Sequence, residues 1–131
     1  QTPDGRENQG IDAIMITMPQ IIAVIGPLVG GRLFPDTAKA NTPVPFCTYD
    51  FVGGRPIEFQ EGQASEQKHT RLQFNVWTKS RLDTMALAWA IENAMVKAPI
   101  LANIETGAVG DYDDIVALYG TRQDFSVLIQ P

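Results

Sequence analysis

The stretch RLQFNVWTKSRLDTMALAWAIENAMV, residues 71–96, decides the fold because a strand pattern leads directly into a helix pattern within it. In its first half, apolar side chains alternate with polar ones. The apolar positions are Leu72, Phe74 and Val76. A period of two is typical of a strand with one buried face and one hydrated face. We therefore predict a strand that begins near Arg71, includes Trp77 and leads into the helix that Ser80 caps.

The second half predicts a helix from Ser80 to about Lys97, and this helix has two apolar sides. Ser80 is a suitable N-cap, and Asp83 follows three residues later, as in a weak capping box. On a wheel of about 100° per residue, the first apolar stripe contains Leu82, Met85, Trp89 and Val96. The nearly opposite stripe contains Leu87, Ile91 and Met95. Two different surfaces must cover this helix.

Two explanations of the second stripe remain open. Either one stripe packs on the sheet and the other on an N-terminal helix, or one stripe is covered by another copy of the protein. Trp77 lies on the polar side of its strand, where it is either an interface anchor or packed under a loop. For the subunit interface we predict Leu87, Ile91, Met95 and Trp77.

The rest of the chain predicts one further helix, three further strands, a brief extended piece and one long hairpin tip. A helix begins at Ile11, is interrupted by Pro19 and ends at Gly26. A brief extended piece follows at 31–35, a strand runs from 46 to 52 and stops at Gly53-Gly54, and later strands cover 101–108 and 121–129. Residues 55–68 form an extended hairpin tip, and 110–120 form an acidic loop whose second half could extend the last strand backwards.

These elements, in the order α-β-β-α-β-β, predict an α+β fold. Two main helices cover one face of a mostly antiparallel sheet of about four strands. The polar residues 1–10 form a flexible arm, and residues 11–131 form one domain, the size expected for a single core. The formal charge of -5 argues against a sequence-independent nucleic-acid binder.

No catalytic or metal-binding constellation stands out. His69 is the only histidine and has no suggestive partner in sequence, while Cys47 lies in an apolar run and reads as a buried structural thiol. Asp111, Asp113 and Asp114 lack the glycine and the distal glutamate of a calcium loop. We predict no catalytic residue, no metal and no cofactor.

Several segments, taken in order, resemble the tail-completion or tail-terminator proteins of long-tailed bacteriophages. They are VGGRLFP, PVPFCTY, RLQFNVWTKS, MALAWAIENAM and DFSVLI, and the likeness covers about residues 11–129. The resemblance implies a small α+β subunit without enzyme activity. Such a subunit would assemble as a homo-hexameric ring on the end of the tail tube, stop tube polymerisation and provide the surface to which the head connector docks.

The implied partners are other copies of the chain, the tail tube protein and the head-tail connector or neck protein, with no membrane and no sequence-specific nucleic acid. The implied location is the tail-neck junction of the virion, and the host cytoplasm during assembly. The hairpin tip is then a candidate for contacting tube or connector. Its candidate contact residues are Arg55, Glu58, Gln60, Glu61, Glu66 and Lys68.

Two other functions remain open. A head-side neck or connector ring would use the same kind of subunit. A small-molecule-binding domain would instead use a cavity between helices and sheet. Ligand-dependent stabilisation of a monomer would indicate the binding domain, whereas concentration-dependent association would indicate assembly.

Overall fold

A five-stranded sheet with helices packed on one face forms the fold. The computed structural model describes residues 16–58 and 64–130, and side chains outside 54–69. The helices are Met18–Ile25 (α1) and Arg81–Val96 (α2), with a short 3-10 helix at Gly26–Val29. The strands are Leu33–Pro35 (β1), Phe46–Glu58 (β2), Ala64–Thr78 (β3), Asn103–Asp113 (β4) and Leu118–Ile129 (β5).

The strands lie in the order β1-β2-β3-β5-β4; among the described strands β1 and β2 pair in parallel, and the other neighbouring pairs are antiparallel. This architecture confirms the predicted α+β class with a mostly antiparallel sheet. The brief extended piece predicted at 31–35 forms β1, which makes five strands where about four were expected.

The core lies between the helices and the inner face of β3 and β5. Leu72, Phe74 and Val76 alternate into it as the sequence predicts, and all are fully buried. Phe74 meets Phe125 edge to face, with ring centroids 5.9 Å apart. Such aromatic pairs stabilise by about 0.5–1.5 kcal/mol beyond their buried area. The central strand pair therefore carries much of the apolar contact.

Pro19 lies in the first turn of α1, so the predicted interruption of the helix at this proline is wrong. Ile16 is extended and forms a parallel bridge with Ile129. Thr17 then caps the helix in a capping box, with its Oγ1 accepting from the Gln20 N–H and its own N–H donating to Gln20 Oε1. A proline is tolerated in the first turn because its missing N–H would have no helical partner there. The predicted arm at 1–10 and the predicted start of the helix at 11–15 lie outside the described residues.

β2 continues past Gly53, so the predicted end of this strand at the glycine pair is wrong. The pairing register with β3 shifts between Phe51 and Gly54, and Gly53 has a φ of +102°. Glycine adopts this conformation without steric cost and so forms a bulge instead of a strand end. The pairs Pro56↔Lys68 and Glu58↔Ala64 extend the β2–β3 hairpin.

β4 and β5 form a second hairpin where an acidic loop was predicted. The first half of the predicted loop is wrong, because β4 runs to Asp113. The predicted backward extension of the last strand is confirmed, because β5 begins at Leu118. Tyr112 packs against Tyr119 across the two strands, with ring centroids 4.8 Å apart. This cross-strand aromatic pair stabilises the hairpin, although neither residue belongs to an alternating pattern in the sequence.

Candidate assembly surface

Three side-chain contacts fix the position of α2 on the sheet. They join Arg81 to the Gly120 carbonyl at 2.8 Å, Thr84 Oγ1 to Thr121 Oγ1 at 2.7 Å, and Gln123 Nε2 to the Ala88 carbonyl at 3.1 Å. The two threonines and Gln123 are buried. Breaking such buried pairs leaves polar groups unsatisfied, at a cost of about 1–3 kcal/mol each. The helix is therefore held in one rotational setting, with one stripe inward and the other outward.

The inward stripe of α2 contains Ile91 and Met95, both completely buried in the core. Leu87 is partly buried against the same core. This corrects the assignment of Ile91 and Met95 to a subunit interface, because side chains that fill the core of one subunit cannot also contact another. The Ser80 N-cap that starts the helix is confirmed, with its Oγ accepting from the Asp83 N–H at 3.1 Å.

The opposite stripe of α2 faces solvent. Leu82 is 78% exposed and Trp89 is 56% exposed, while Val96 is also exposed. Beside this stripe runs β4, whose Ile104 and Tyr112 are exposed on the same side of the sheet as the helices. A cleft between helix and strand is lined by Met85, Trp89, Ala108 and Gly110. We call the exposed set Leu82, Trp89, Val96, Ile104 and Tyr112 the outer surface.

The free edge of β4 adjoins the outer surface. Among the described residues, β4 is the last strand of the sheet and pairs with β5 alone. β4 carries Glu105, Asp111 and Asp113, and its register with β5 shifts twice, features that oppose the pairing of an edge strand with another chain. The exposed apolar stripe of α2 is therefore the part of this flank that is typical of a protein-protein contact.

Trp77 lies on the other face of the sheet and is partly exposed. It stands opposite Gly120 on β5, and a Cβ added at Gly120 would meet the indole ring at 2.6 Å. The ring therefore lies directly on the glycine backbone. Trp77 therefore packs on its own sheet. Neither the predicted role as an interface anchor nor the predicted packing under a loop includes this contact.

A polar network covers the centre of this same face, which we call the open face. Arg71 pairs with Asp124 at 3.0 Å, and Gln73 also donates to Asp124. Asn75 donates to Asp50 Oδ2 at 3.3 Å. Asp124 is largely buried between these donors, so its charge is compensated by hydrogen bonds and by Arg71.

Asp50, at the edge of this network, has a carboxyl group that is easier to protonate than usual. Burial raises the pKa of Asp50 above its ordinary value of 3.8, the nearby Asp36 carboxylate raises it further, and the Asn75 amide lowers it. Since the folded-state pKa exceeds the unfolded one, the stabilisation from Asp50 is fully present below pH 3.8 and is lost as pH rises through the raised pKa. Ionised Asp50 therefore destabilises the fold at neutral pH.

Replacing Asp50 with asparagine should raise the melting temperature at pH 7 and leave it nearly unchanged at pH 3. The amide keeps the shape and can still accept from Asn75. Thermal denaturation followed by circular dichroism measures both values. Asp114→Asn, which removes an equal charge from an exposed turn, is the control. An equal gain in both variants would show that net charge alone is responsible.

The other residues considered from the sequence lie in the core, in β4 and its turn, and in the β2–β3 hairpin. Cys47 is buried, and burial raises the pKa of its thiol. Asp111 and Asp113 lie in β4 and Asp114 in the following turn. Of the predicted contact residues in the hairpin tip, Arg55, Glu58, Glu66 and Lys68 belong to β2 or β3, and Gln60 and Glu61 lie outside the described residues. Within 16–58 and 64–130, no helix is long and apolar enough to cross a bilayer.

Comparisons with known proteins agree with this architecture. No curated protein matches the chain. A chain from a solved structure titled "Virion of native gene transfer agent (GTA) particle" is similar in fold, with a TM-score of 0.59 at 15% identity over 83% of this chain and 86% of that one. The family model described as "Tail completion protein gp17" matches residues 17–130, which include both helices and all five strands. The chain therefore belongs to the tail completion protein gp17 family.

Proposed function

We propose that the protein forms a hexameric ring that caps the phage tail tube, stops its polymerisation and presents the docking surface for the head connector. Its role is structural and uses no cofactor. It acts at the tail-neck junction of the virion after assembly in the host cytoplasm. Membership of a tail completion family supports the general role, and the outer surface is the observation that supports assembly.

The outer surface supports a ring because of where it lies. It occupies one flank of the subunit, on α2 and the edge strand β4. The opposite edge of the sheet is formed by β1 and β2, so it presents different residues. A ring closes through head-to-tail contacts, in which two different patches of the same subunit meet. A patch that met its own copy would produce a twofold dimer instead.

The β2–β3 hairpin is the segment that we propose contacts the tube or the connector. The pairing of β5 with β3 ends at Lys68↔Ile129, whereas β2 and β3 remain paired as far as Glu58↔Ala64. The end of the described hairpin, where Glu58 pairs with Ala64, therefore consists of β2 and β3 without the pairing to β5 that the rest of β3 has. An extension of this kind can reach a neighbouring protein without disturbing the core.

The first test is the native mass of the purified protein over a concentration series, with electron micrographs of the heaviest species. Closed rings of about six subunits that bind the ends of purified tail tubes would support the proposal. Rings that bind connector-bearing heads and ignore tubes would support the head-side neck role instead. A monomer at every concentration that a small molecule stabilises would support the binding-domain function.

Replacing residues 57–67 with Asn-Gly should leave folding and ring formation intact and abolish tail joining. The two-residue turn would connect Pro56 to Lys68, which already face each other across the hairpin. Loss of infectious particles in a complementation assay, with unchanged native mass, is the expected result. Normal numbers of infectious particles would show that the hairpin tip has no role in joining.

A further inference from the structure

A cavity lies at the end of the sheet opposite the β2–β3 hairpin. It has a volume of about 520 Å³ and opens between the loop that precedes β2 and the turn that precedes β5. Phe46, the first residue of β2, and Leu118, the first residue of β5, line it together with Lys79, which follows β3. The loop contributes Lys39 and Val44. The hairpin leaves from the other ends of β2 and β3, so the two features mark opposite ends of the subunit.

The charged side chains that line this cavity are both lysines. Lys39 and Lys79 are exposed, and within 16–58 and 64–130 no carboxylate residue lines the cavity with them. Among the side chains that the structure describes, the one ion pair joins Arg71 to Asp124, so neither lysine has an ion-pair partner there. A cavity of this charge in a chain with a formal charge of -5 favours a ligand that carries negative groups. We call it the lysine cavity.

A groove with mainly apolar walls continues the lysine cavity along α2. It has a volume of about 520 Å³ and shares Val44 and Lys79 with the cavity. Leu87, predicted from sequence as an interface residue, is one of its walls. The acidic residue Asp83 lines the groove and does not line the cavity. The continuous depression is therefore apolar toward α2 and positive toward the loop.

This combination favours a peptide segment over a small anion or DNA. A phosphate ion or a DNA backbone would contact the two lysines but leave the apolar walls of the groove in water, and the net charge of the chain repels DNA. An extended peptide can place aliphatic side chains in the groove and carboxylates beside the lysines, which removes apolar surface from water. The favoured occupant is thus a protein segment in which apolar and acidic residues are adjacent.

We propose that the lysine cavity and the groove bind an acidic and apolar segment of the virion protein that stacks on this face of the ring. The inference rests on the proposed ring, in which subunits meet through the flanks of the sheet and the two ends of the strands face the tube and the connector. The hairpin leaves from one end and the lysine cavity opens at the other. Hairpin and cavity therefore bind different partners, one the tube and the other the connector.

Charge reversal tests the cavity. A double variant, Lys39→Glu with Lys79→Glu, changes two exposed side chains, so it should form rings of the wild-type native mass. Co-sedimentation measures the binding of these rings to purified tail tubes and to connector-bearing heads. Binding to one of the two should weaken by about tenfold or more, because a ring presents several altered cavities at once, and binding to the other should be unchanged. The variant in which Asn-Gly replaces residues 57–67 should lose the other partner.

The matched control is Lys97→Glu, at an exposed lysine after α2 that lines neither the cavity nor the groove. Its rings should bind tubes and heads as the wild type does. Unchanged binding of the double variant to both partners would overturn the proposal and leave the ring intact, as would the loss of one and the same partner by the double variant and the hairpin variant. Wild-type rings that bind neither partner would overturn the proposed function as well.

A second variant separates a peptide from a phosphate-bearing occupant. Ala86 is an exposed residue of α2 that lines the groove and lies outside the lysine cavity. Ala86→Glu should weaken binding to the same partner as the double lysine variant by about tenfold, because it places a carboxylate where apolar side chains dock, with an unchanged melting temperature. Ala23→Glu, at an exposed position of α1, is its control. Normal binding by Ala86→Glu, or loss of wild-type binding after nuclease treatment of the heads, would overturn the peptide as occupant.

Discussion

Replacing Ile91 with aspartate should yield no folded protein. Ile91 lies completely inside the core, on the α2 stripe that faces the sheet. An ionised carboxylate left without a partner there costs about 3–5 kcal/mol, and the lost apolar burial adds about 1.5–3 kcal/mol. Together these penalties match the lower half of the total stability of about 5–15 kcal/mol that is usual for a domain, so little or no folded protein should remain.

Far-UV circular dichroism and a thermal scan of the Ile91→Asp variant measure this effect. The matched control is Leu82→Asp, which makes the same kind of change one stripe away on the same helix, where the side chain faces solvent. The control should fold with a melting temperature close to that of the wild type. A cooperative transition in Ile91→Asp at the wild-type temperature would contradict the orientation of α2 described above.

Replacing Trp89 with aspartate should separate folding from assembly. Trp89 is the largest side chain of the outer surface and is more than half exposed in the subunit. Truncating a tryptophan that is an interface hot spot costs about 2 kcal/mol or more, and an added carboxylate would be buried without a partner. We therefore expect a folded monomer at concentrations where the wild type forms rings.

Analytical ultracentrifugation reports the assembly of the Trp89→Asp variant, and circular dichroism at high dilution reports its folding. Ala23→Asp, which introduces the same charge at an exposed position of α1, should assemble normally. If Trp89→Asp still forms rings at wild-type concentrations, the outer surface is not the contact. The ring would then have to close through other residues.

Local signals in the sequence were sufficient for the elements at the centre of the fold. The alternation at Leu72, Phe74 and Val76 and the N-cap at Ser80 depend on neighbouring residues alone, and the structure confirms both. Pro19 and Gly53 were misjudged because each residue has two compatible structures. A proline can break a helix or begin one, and a glycine can end a strand or form a bulge.

Periodicity was sufficient to find the two apolar stripes of α2, but it did not show which stripe faces the sheet. The deciding residues are small or polar. Thr84 and Ala88 lie on the inward side, where they allow close approach to β5 and meet Thr121 and Gln123. A hydrophobicity wheel gives such residues little weight, and their partners are more than 30 positions away in sequence. The hydrogen bond between Thr84 and Thr121 depends on the folded chain, so a single sequence does not reveal it.

The placement of the two tryptophans gives the protein a built-in optical readout. Trp77 rests on the Gly120 backbone within its own sheet, so its emission reports whether the subunit is folded. Trp89 is more than half exposed in the isolated subunit, and a neighbour that covers it would reduce this exposure. The chain contains no other tryptophan. With Trp77 unchanged, the intrinsic fluorescence of Trp89 can therefore follow assembly in real time without an attached dye.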